Sequence, residues 1–294
     1  MRFFLALLVD GALAGVVYAL VALAFVIVYK ASRIINFSLG EWVMLGARLT
    51  ALGLHQFAWG LAGAAGGACA GMVGLAIVWN RIVLRRLVGR PLIALIMVTL
   101  GLGMVMRGGS SLAFRGVPGT IPLPLAGESL DMWGVPVAPE NLLAAVAAGV
   151  LITAVTWLFQ RTRIGLALRA MADDQEAAMA AGVDLDRYLS ITWALAGVVS
   201  VLGGILWTAA SGGGFGLILL GLRVFPIVVI GGLDSLAGCI VGAMGIGILE
   251  SLAGGYLDPV LGGGFSSVTS YLALIVMLYA RPTGLLGRPV VERV

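Results

Sequence analysis

Long apolar runs separated by short polar loops fill this chain, and they limit its fold more than any other feature. The runs are Phe4–Tyr29, Phe37–Leu54, Phe57–Trp79, Leu92–Phe114, Leu142–Phe159, Leu189–Ala209, Leu217–Leu233, Leu236–Gly254 and Val268–Ala280. A helix rising about 1.5 Å per residue needs roughly 20 apolar residues to cross a hydrocarbon layer of about 30 Å. The runs are apolar on every side, whereas strands of a membrane barrel alternate over segments of about ten residues. Of the 294 residues, 61% are hydrophobic and 11% charged, against about 25% charged in soluble domains. The sequence therefore predicts an all-α, polytopic transmembrane helical bundle of eight or nine spans, a single domain over residues 1–294 set in the lipid bilayer.

The charges locate the loops. Arg81, Arg85, Arg86 and Arg90 share one short loop, Arg161, Arg163 and Arg169 another, and Arg281, Arg288 and Arg293 follow the last run. Basic clusters beside span ends mark the cytoplasmic side, which predicts a cytoplasmic C-terminus and an inside loop over 161–187. Residues 115–140 give the opposite signal. Pro118, Pro122, Pro124, Pro136 and Pro139 oppose helix, Glu128, Asp131 and Glu140 are acidic, and the only basic residue is Arg115 at the edge, so this segment is read as the external loop. Nine spans place the N-terminus outside and eight place it inside. The difference rests on Phe37–Leu54, which is short, carries Glu41 and Arg48, and suits a re-entrant or interfacial helix as well. The run after Arg2 exceeds the roughly 7–15 residues of a signal-peptide core and reads as an uncleaved first span.

Several chemistries are excluded. The net charge of +4 is dispersed over loops with no interleaved aromatics, which argues against nucleic acid as a partner. Lys30 is the only lysine and lies in no phosphate-binding loop, and His55 is the only histidine, so neither a zinc helix nor a Ser-His-Asp set exists;. Gly245-Ile246-Gly247 lacks the third glycine of a dinucleotide fingerprint;. Cys69 and Cys239 fall inside apolar runs and read as packing residues. The expectation is a protein with no catalytic residues, no metal and no cofactor of its own.

Ionisable residues inside apolar runs are the candidates for function, because each costs roughly 2.5–3.5 kcal/mol at the centre of a lone span. Glu41, Arg107, Arg223 and Glu250 qualify. Glu250 stands near a span end, where snorkelling to the interface is the competing reading. Arg223 lies between Gly212–Gly216 and Pro226, where a broken helix would line a pathway or a structural pair would form. The turn Ile34–Glu41 offers Asn36 and Ser38, as helix caps or as a gate. With Glu41, Arg223 and Glu250, Asn36 completes the set expected along a translocation pathway. Gly63, Gly67 and Gly71, and later Gly238 and Gly242, recur every fourth residue, a spacing that suits close helix packing.

The remaining anomaly is a polar island, Arg161–Arg187, between two apolar runs. Asp173 and Asp174 suit the start of a short helix over Asp173–Ala181, and Gly182 suits its C-terminal cap;. Ala177, Ala178, Ala180 and Ala181 make a slim surface that another protein could approach. Spacing alone leaves a solvated helix without a partner equally open.

Here the residues resemble a known family. Glu176-Ala177-Ala178, three residues, then Gly182 is similar to the coupling motif of ABC importer permeases. It lacks the hydrophobic-x-Leu-Pro ending, a departure shared by the branched-chain amino-acid permeases. Tyr18–Leu23, Val28-Tyr29, Ile35–Glu41, Arg163–Ala170, Ile230–Gly238 and Arg281–Gly287 resemble other signatures of that group. The resemblance implies a subunit of a bacterial inner-membrane importer. Its partners would be two cytoplasmic ABC ATPases that use the ATP, a second permease subunit, related or identical, and a periplasmic substrate-binding protein. Asp173, Asp174, Glu176, Ala177, Ala178 and Gly182 would contact the ATPase. Relatives that carry urea or amides leave the substrate open, and a self-contained secondary transporter or channel is the alternative.

Overall fold

The first helix is the axis of the bundle. α1 (Arg2–Ser32) is buried over most of the stretch from Gly11 to Ala31, as a helix without a polar face must be. The computed structural model describes residues 1–87, 90–123, 130–132 and 135–287. The other long helices are α2 (Leu39–His55), α3 (Leu61–Trp79), α5 (Leu92–Ala113), α6 (Pro139–Arg161), α9 (Leu185–Ser211), α10 (Leu217–Gly231), α11 (Leu236–Tyr256) and α13 (Phe265–Ala280). α3 passes through a π turn, Asn80–Leu84, into the short α4 (Arg85–Leu87). The polar island supplies α7 (Arg163–Asp173) and α8 (Gln175–Ala180), and α12 (Asp258–Leu261) joins α11 to α13. Each predicted run appears as a helix, with ends shifted by a few residues.

Seven described helices are long and apolar enough to cross a membrane: α1, α3 with α4, α5, α6, α9, α10 with the turn before it, and α11. α13 has 16 residues and α2 has 17, short of that length, so length and composition alone reach seven of the eight or nine expected spans. α2 is a core helix and not an interfacial one. Glu41, Trp42, Met44 and Arg48 are buried, and it packs on α3, α5, α9 and α10. Burial within the protein supplies the partners that lipid would deny to its two charges.

Backbones meet closely where α1 crosses α11. A Cβ on Gly11 would stand 2.7 Å from the Gly247 carbonyl oxygen, and one on Gly15 would stand 3.0 Å from that of Ala243. Gly238 and Gly242 serve as expected, against Gly231 and the Ile227 carbonyl of α10. Gly63, Gly67 and Gly71 do not meet another helix backbone. Gly67 faces the ring of Trp59, which would lie 2.7 Å from a Cβ at that position, and Gly63 and Gly71 have only side-chain neighbours.

The bundle has two distinct ends. At one, the Gln175 side chain donates to Ala31 O at 3.2 Å and Arg33 donates to Ala172 O at 2.7 Å, so the foot of α1 rests on the polar island. Lys30, Arg161, Arg169, Asp234 and Leu286 line one cavity of about 550 Å³ at this end. At the other end Arg48 donates to Val117 O at 2.9 Å, and His55 Nε2 lies 2.9 Å from Thr120 O. There β1 (Leu130–Met132) and β2 (Val135–Val137) form an antiparallel ribbon. This ribbon departs from the purely helical expectation: a proline-rich segment without helical hydrogen bonds pairs its backbone with itself. Pro124, Glu128, Arg288 and Arg293 lie outside the described residues.

The crossing gives a paired prediction. Gly247→Leu should lower the thermal stability of the detergent-solubilised chain by the equivalent of about 1–3 kcal/mol, the usual penalty of overpacking. Gly245→Leu, where nothing stands within 4 Å, should leave the melting temperature within the spread of surface substitutions, about 0.5 kcal/mol.

Candidate functional site

Two of the expected pathway residues meet in a buried relay. Arg223 Nη1 donates to the Tyr18 hydroxyl at 3.0 Å, and that hydroxyl donates to Glu250 Oε2 at 2.7 Å. Arg223 and Glu250 also approach directly, at 3.8 Å, and Arg223 Nη2 donates to Ser267 Oγ at 3.2 Å. Glu250 does not snorkel: it is buried, and α1, α10, α11 and α13 all contribute to its network. Trp207 stacks on the Tyr18 ring at a centroid distance of 5.0 Å, which fixes the phenol that bridges the two charges.

Local chemistry explains why α10 presents Arg223 here. Pro226 sits inside the helix, removes one backbone donor and frees the carbonyl four residues earlier. That carbonyl, on Leu222, accepts the Tyr271 hydroxyl of α13 at 3.0 Å. Ser267 is held in turn by the start of α13, where Asp258 accepts the Ser266 N–H at 2.8 Å and its hydroxyl at 2.9 Å. The Ser266 backbone N–H holds the Asp258 carboxyl below its ordinary range.

Glu41 belongs to a second pair. Arg107 Nη2 donates to Glu41 Oε1 at 2.7 Å. Asn36, nearby in sequence, is buried, and its Oδ1 accepts both the N–H and the hydroxyl of Ser38, at 3.1 and 2.7 Å. This turn leads into α2, whose N-cap, Ser38, makes no side-chain cap hydrogen bond, so Asn36 acts as a turn-former and neither residue caps the helix as the sequence reading offered;. Thr99 of α5 ties the turn down through the Phe37 N–H at 3.4 Å and the Ile35 carbonyl at 3.3 Å. The four expected pathway residues thus fall into a relay with Arg223 and Glu250, an ion pair with Glu41, and a local turn with Asn36.

The island folds differently from its expected start. Asp173 ends α7, and Asp174 is extended, at φ −154° and ψ 112°. Asp174 Oδ1 accepts the Ala177 N–H at 3.0 Å, so the short helix is Gln175–Ala180 and not Asp173–Ala181. A side-chain cap contributes about 1 kcal/mol, which is enough to define so brief a helix only with packing beneath it. Ala178 supplies that packing, in a small apolar cluster with Met171, Leu189 and Val183. Gly182 follows at φ +89°, a backbone region that favours glycine, and Val183 N–H closes on Ala178 O at 3.0 Å. Glu176, Ala177, Ala180 and Ala181 remain exposed.

Other contacts bind the island to the bundle. Asn80, buried in the π turn after α3, donates to Asp186 O at 3.1 Å and to Ser190 Oγ at 2.6 Å. Arg85 pairs with the Asp186 carboxylate.

The family described as branched-chain amino acid transport system, permease component, matches residues 7–280. The chain belongs to this permease family. The high-affinity branched-chain amino acid transport system permease protein LivH of Salmonella typhimurium is 28% identical over 99% of this chain and 98% of its own length. BraD of Pseudomonas aeruginosa, named as the same kind of permease protein, is 29% identical over 98% and 97%. Among solved structures, PsaBC from Streptococcus pneumoniae in complex with Fab covers 93% of this chain and 91% of its own, at 15% identity and a TM-score of 0.50. That likeness bears on the fold alone.

Tyr18 is the residue of this permease's candidate site that charge and spacing do not reveal, together with Ser267. A phenol inside the otherwise apolar stretch Gly11–Val28 is the available signal, because a buried hydroxyl must find a partner. The relay gives the second prediction. Glu250→Ala should destabilise the permease in detergent by about 3 kcal/mol, because it leaves a half-buried arginine unpaired. Glu250→Ala with Arg223→Ala should cost less than the sum of the single changes in a double-mutant cycle of melting temperatures.

Proposed function

We propose that this permease is the membrane subunit of an ATP-driven importer of branched-chain amino acids in a bacterial inner membrane, with the C-terminus cytoplasmic. A second permease subunit completes the pathway, one of two ABC ATPases docks on α8 from the cytoplasm and the other on the second subunit, and a periplasmic binding protein delivers substrate. The ATP is bound and hydrolysed by the partners. The observation that carries this reading is the construction of α8. It is capped by Asp174, seated through Ala178, and bonded through Gln175 to the end of α1, while Glu176 and its alanines face outward.

A short helix so mounted passes a push from outside to the central helix of the bundle. The push then reaches Tyr18, midway along α1, where Arg223 and Glu250 are held. Rearrangement of that relay and of the Glu41–Arg107 pair would accompany alternation between outward-facing and inward-facing states. Substrate and ATPase bias this equilibrium only as far as each binds one state better than the other. A secondary transporter with Glu41 or Glu250 as its ion site would need neither ATPase nor a mounted α8.

With the ATPases and binding protein co-expressed, Glu176→Lys and Gly182→Asp should each lower substrate-stimulated ATP hydrolysis ten- to hundredfold, roughly the worth of a charge-assisted contact. Membrane insertion and the amount of purified permease should not change. Full stimulation in both variants, or leucine uptake by this chain alone under an ion gradient, overturns the reading.

A further inference from the structure

The Arg107–Glu41 pair stands at an improbable place for a lone membrane subunit. α5 is an apolar helix of 22 residues, yet the Arg107 side chain is 56% exposed on the outside of the chain while Glu41 is 8% exposed. Snorkelling does not explain the exposure. The Glu41 carboxyl lies against Gly103, near the midpoint of α5, with its carbon 3.1 Å from where a Cβ would stand. Arg107 therefore reaches toward the middle of the helix and not toward its nearer end. An ion pair at that depth belongs beside water or a protein partner, since hydrocarbon would leave the guanidinium unsolvated.

The surrounding surface is equally specific. Met104 and Leu100 are exposed, and Gly101 and Gly108 leave open space on the same helix. A guanidinium has five N–H donors, and Glu41 takes one through Nη2. The outcome is a cation with donors to spare, neutralised overall by its partner, beside an apolar strip. That combination matches a neutral zwitterion with an apolar side chain: the carboxylate meets Arg107, and the side chain lies along Leu100 and Met104. We infer that Arg107 faces the aqueous translocation path between this chain and a second permease subunit and binds the substrate carboxylate there, with Glu41 as the positioning residue that orients it. The inference rests on the importer reading given above.

Two measurements on the complete transporter test it. In a background with Cys69→Ala and Cys239→Ala, Met104→Cys should react with a charged, membrane-impermeant thiosulfonate at least about tenfold faster than Val150→Cys, because only a water-exposed thiol ionises readily. Val150 lies on an exposed apolar strip of α6 that lacks charge. In uptake assays with labelled leucine, Arg107→Gln should lower transport roughly ten- to hundredfold, the value of a charge-assisted hydrogen bond, and Arg107→Lys should recover part of it. The double variant Arg107→Gln with Glu41→Gln separates binding from support. It should remain as impaired as Arg107→Gln if the guanidinium holds substrate. Recovery of uptake in the double variant, or a Met104→Cys no more reactive than Val150→Cys, overturns the inference. Co-purification of the ATPases with each variant is scored separately. Its loss in the unsubstituted protein would sink the importer reading and leave the labelling result to stand by itself.

Discussion

The close crossing of α1 and α11 sets the terms for everything else in this bundle. In a bilayer no hydrophobic effect drives helices together, so packing and buried hydrogen bonds must do so. Gly11 and Gly15 against Gly247 and Ala243 let two backbones touch. That proximity brings Tyr18 of α1 within 2.7 Å of Glu250 on α11. With α1 and α11 further apart, the hydroxyl would not bridge, and Glu250 would be a buried acid held only by a distant arginine.

Polar groups at depth are organised by the same economy. The relay joins four helices and the Glu41–Arg107 pair joins two, each charge having a partner of opposite sign. The foot of the bundle follows a different logic, because water can satisfy its backbone. There, capping by Asp174, the apolar seat of Ala178 and the tie from Gln175 to Ala31 give a six-residue helix a fixed place. α1 connects the two regimes, with its middle in the relay and its end on the island.

Much of this is legible in the chain itself. Apolar run length places the helices to within a few residues, and four charged residues that stand out inside those runs, Glu41, Arg107, Arg223 and Glu250, form ion pairs. The pairing itself is not legible. Nothing in the spacing of Arg223 and Glu250 says that Tyr18, more than two hundred residues earlier, stands between them. The same holds for glycine. Regular spacing draws attention to Gly63, Gly67 and Gly71, whereas the α1–α11 crossing uses Gly11, Gly15 and Gly247, whose partners come from distant sequence. The start of α8 differs by two residues from the sequence reading because Asp173 and Asp174 are chemically equivalent, and only the break after α7 decides which one caps. Burial of α2 is hidden because its charges resemble those of an interfacial helix until Arg107 and Val117 are seen to answer them.

Pro226 couples two helices mechanically. The missing rung of α10 leaves the Leu222 carbonyl to Tyr271, so a side chain of α13 completes the hydrogen bonding of another helix. A regular helix can turn about its axis without losing its own backbone bonds, but α10 cannot. Any rotation that carries Arg223 away from Tyr18 must also withdraw Leu222 from Tyr271, or else carry α13 along. The proline thus leaves α10 tied to α13 through the Leu222 carbonyl, a link that any such rotation has to break or carry with it.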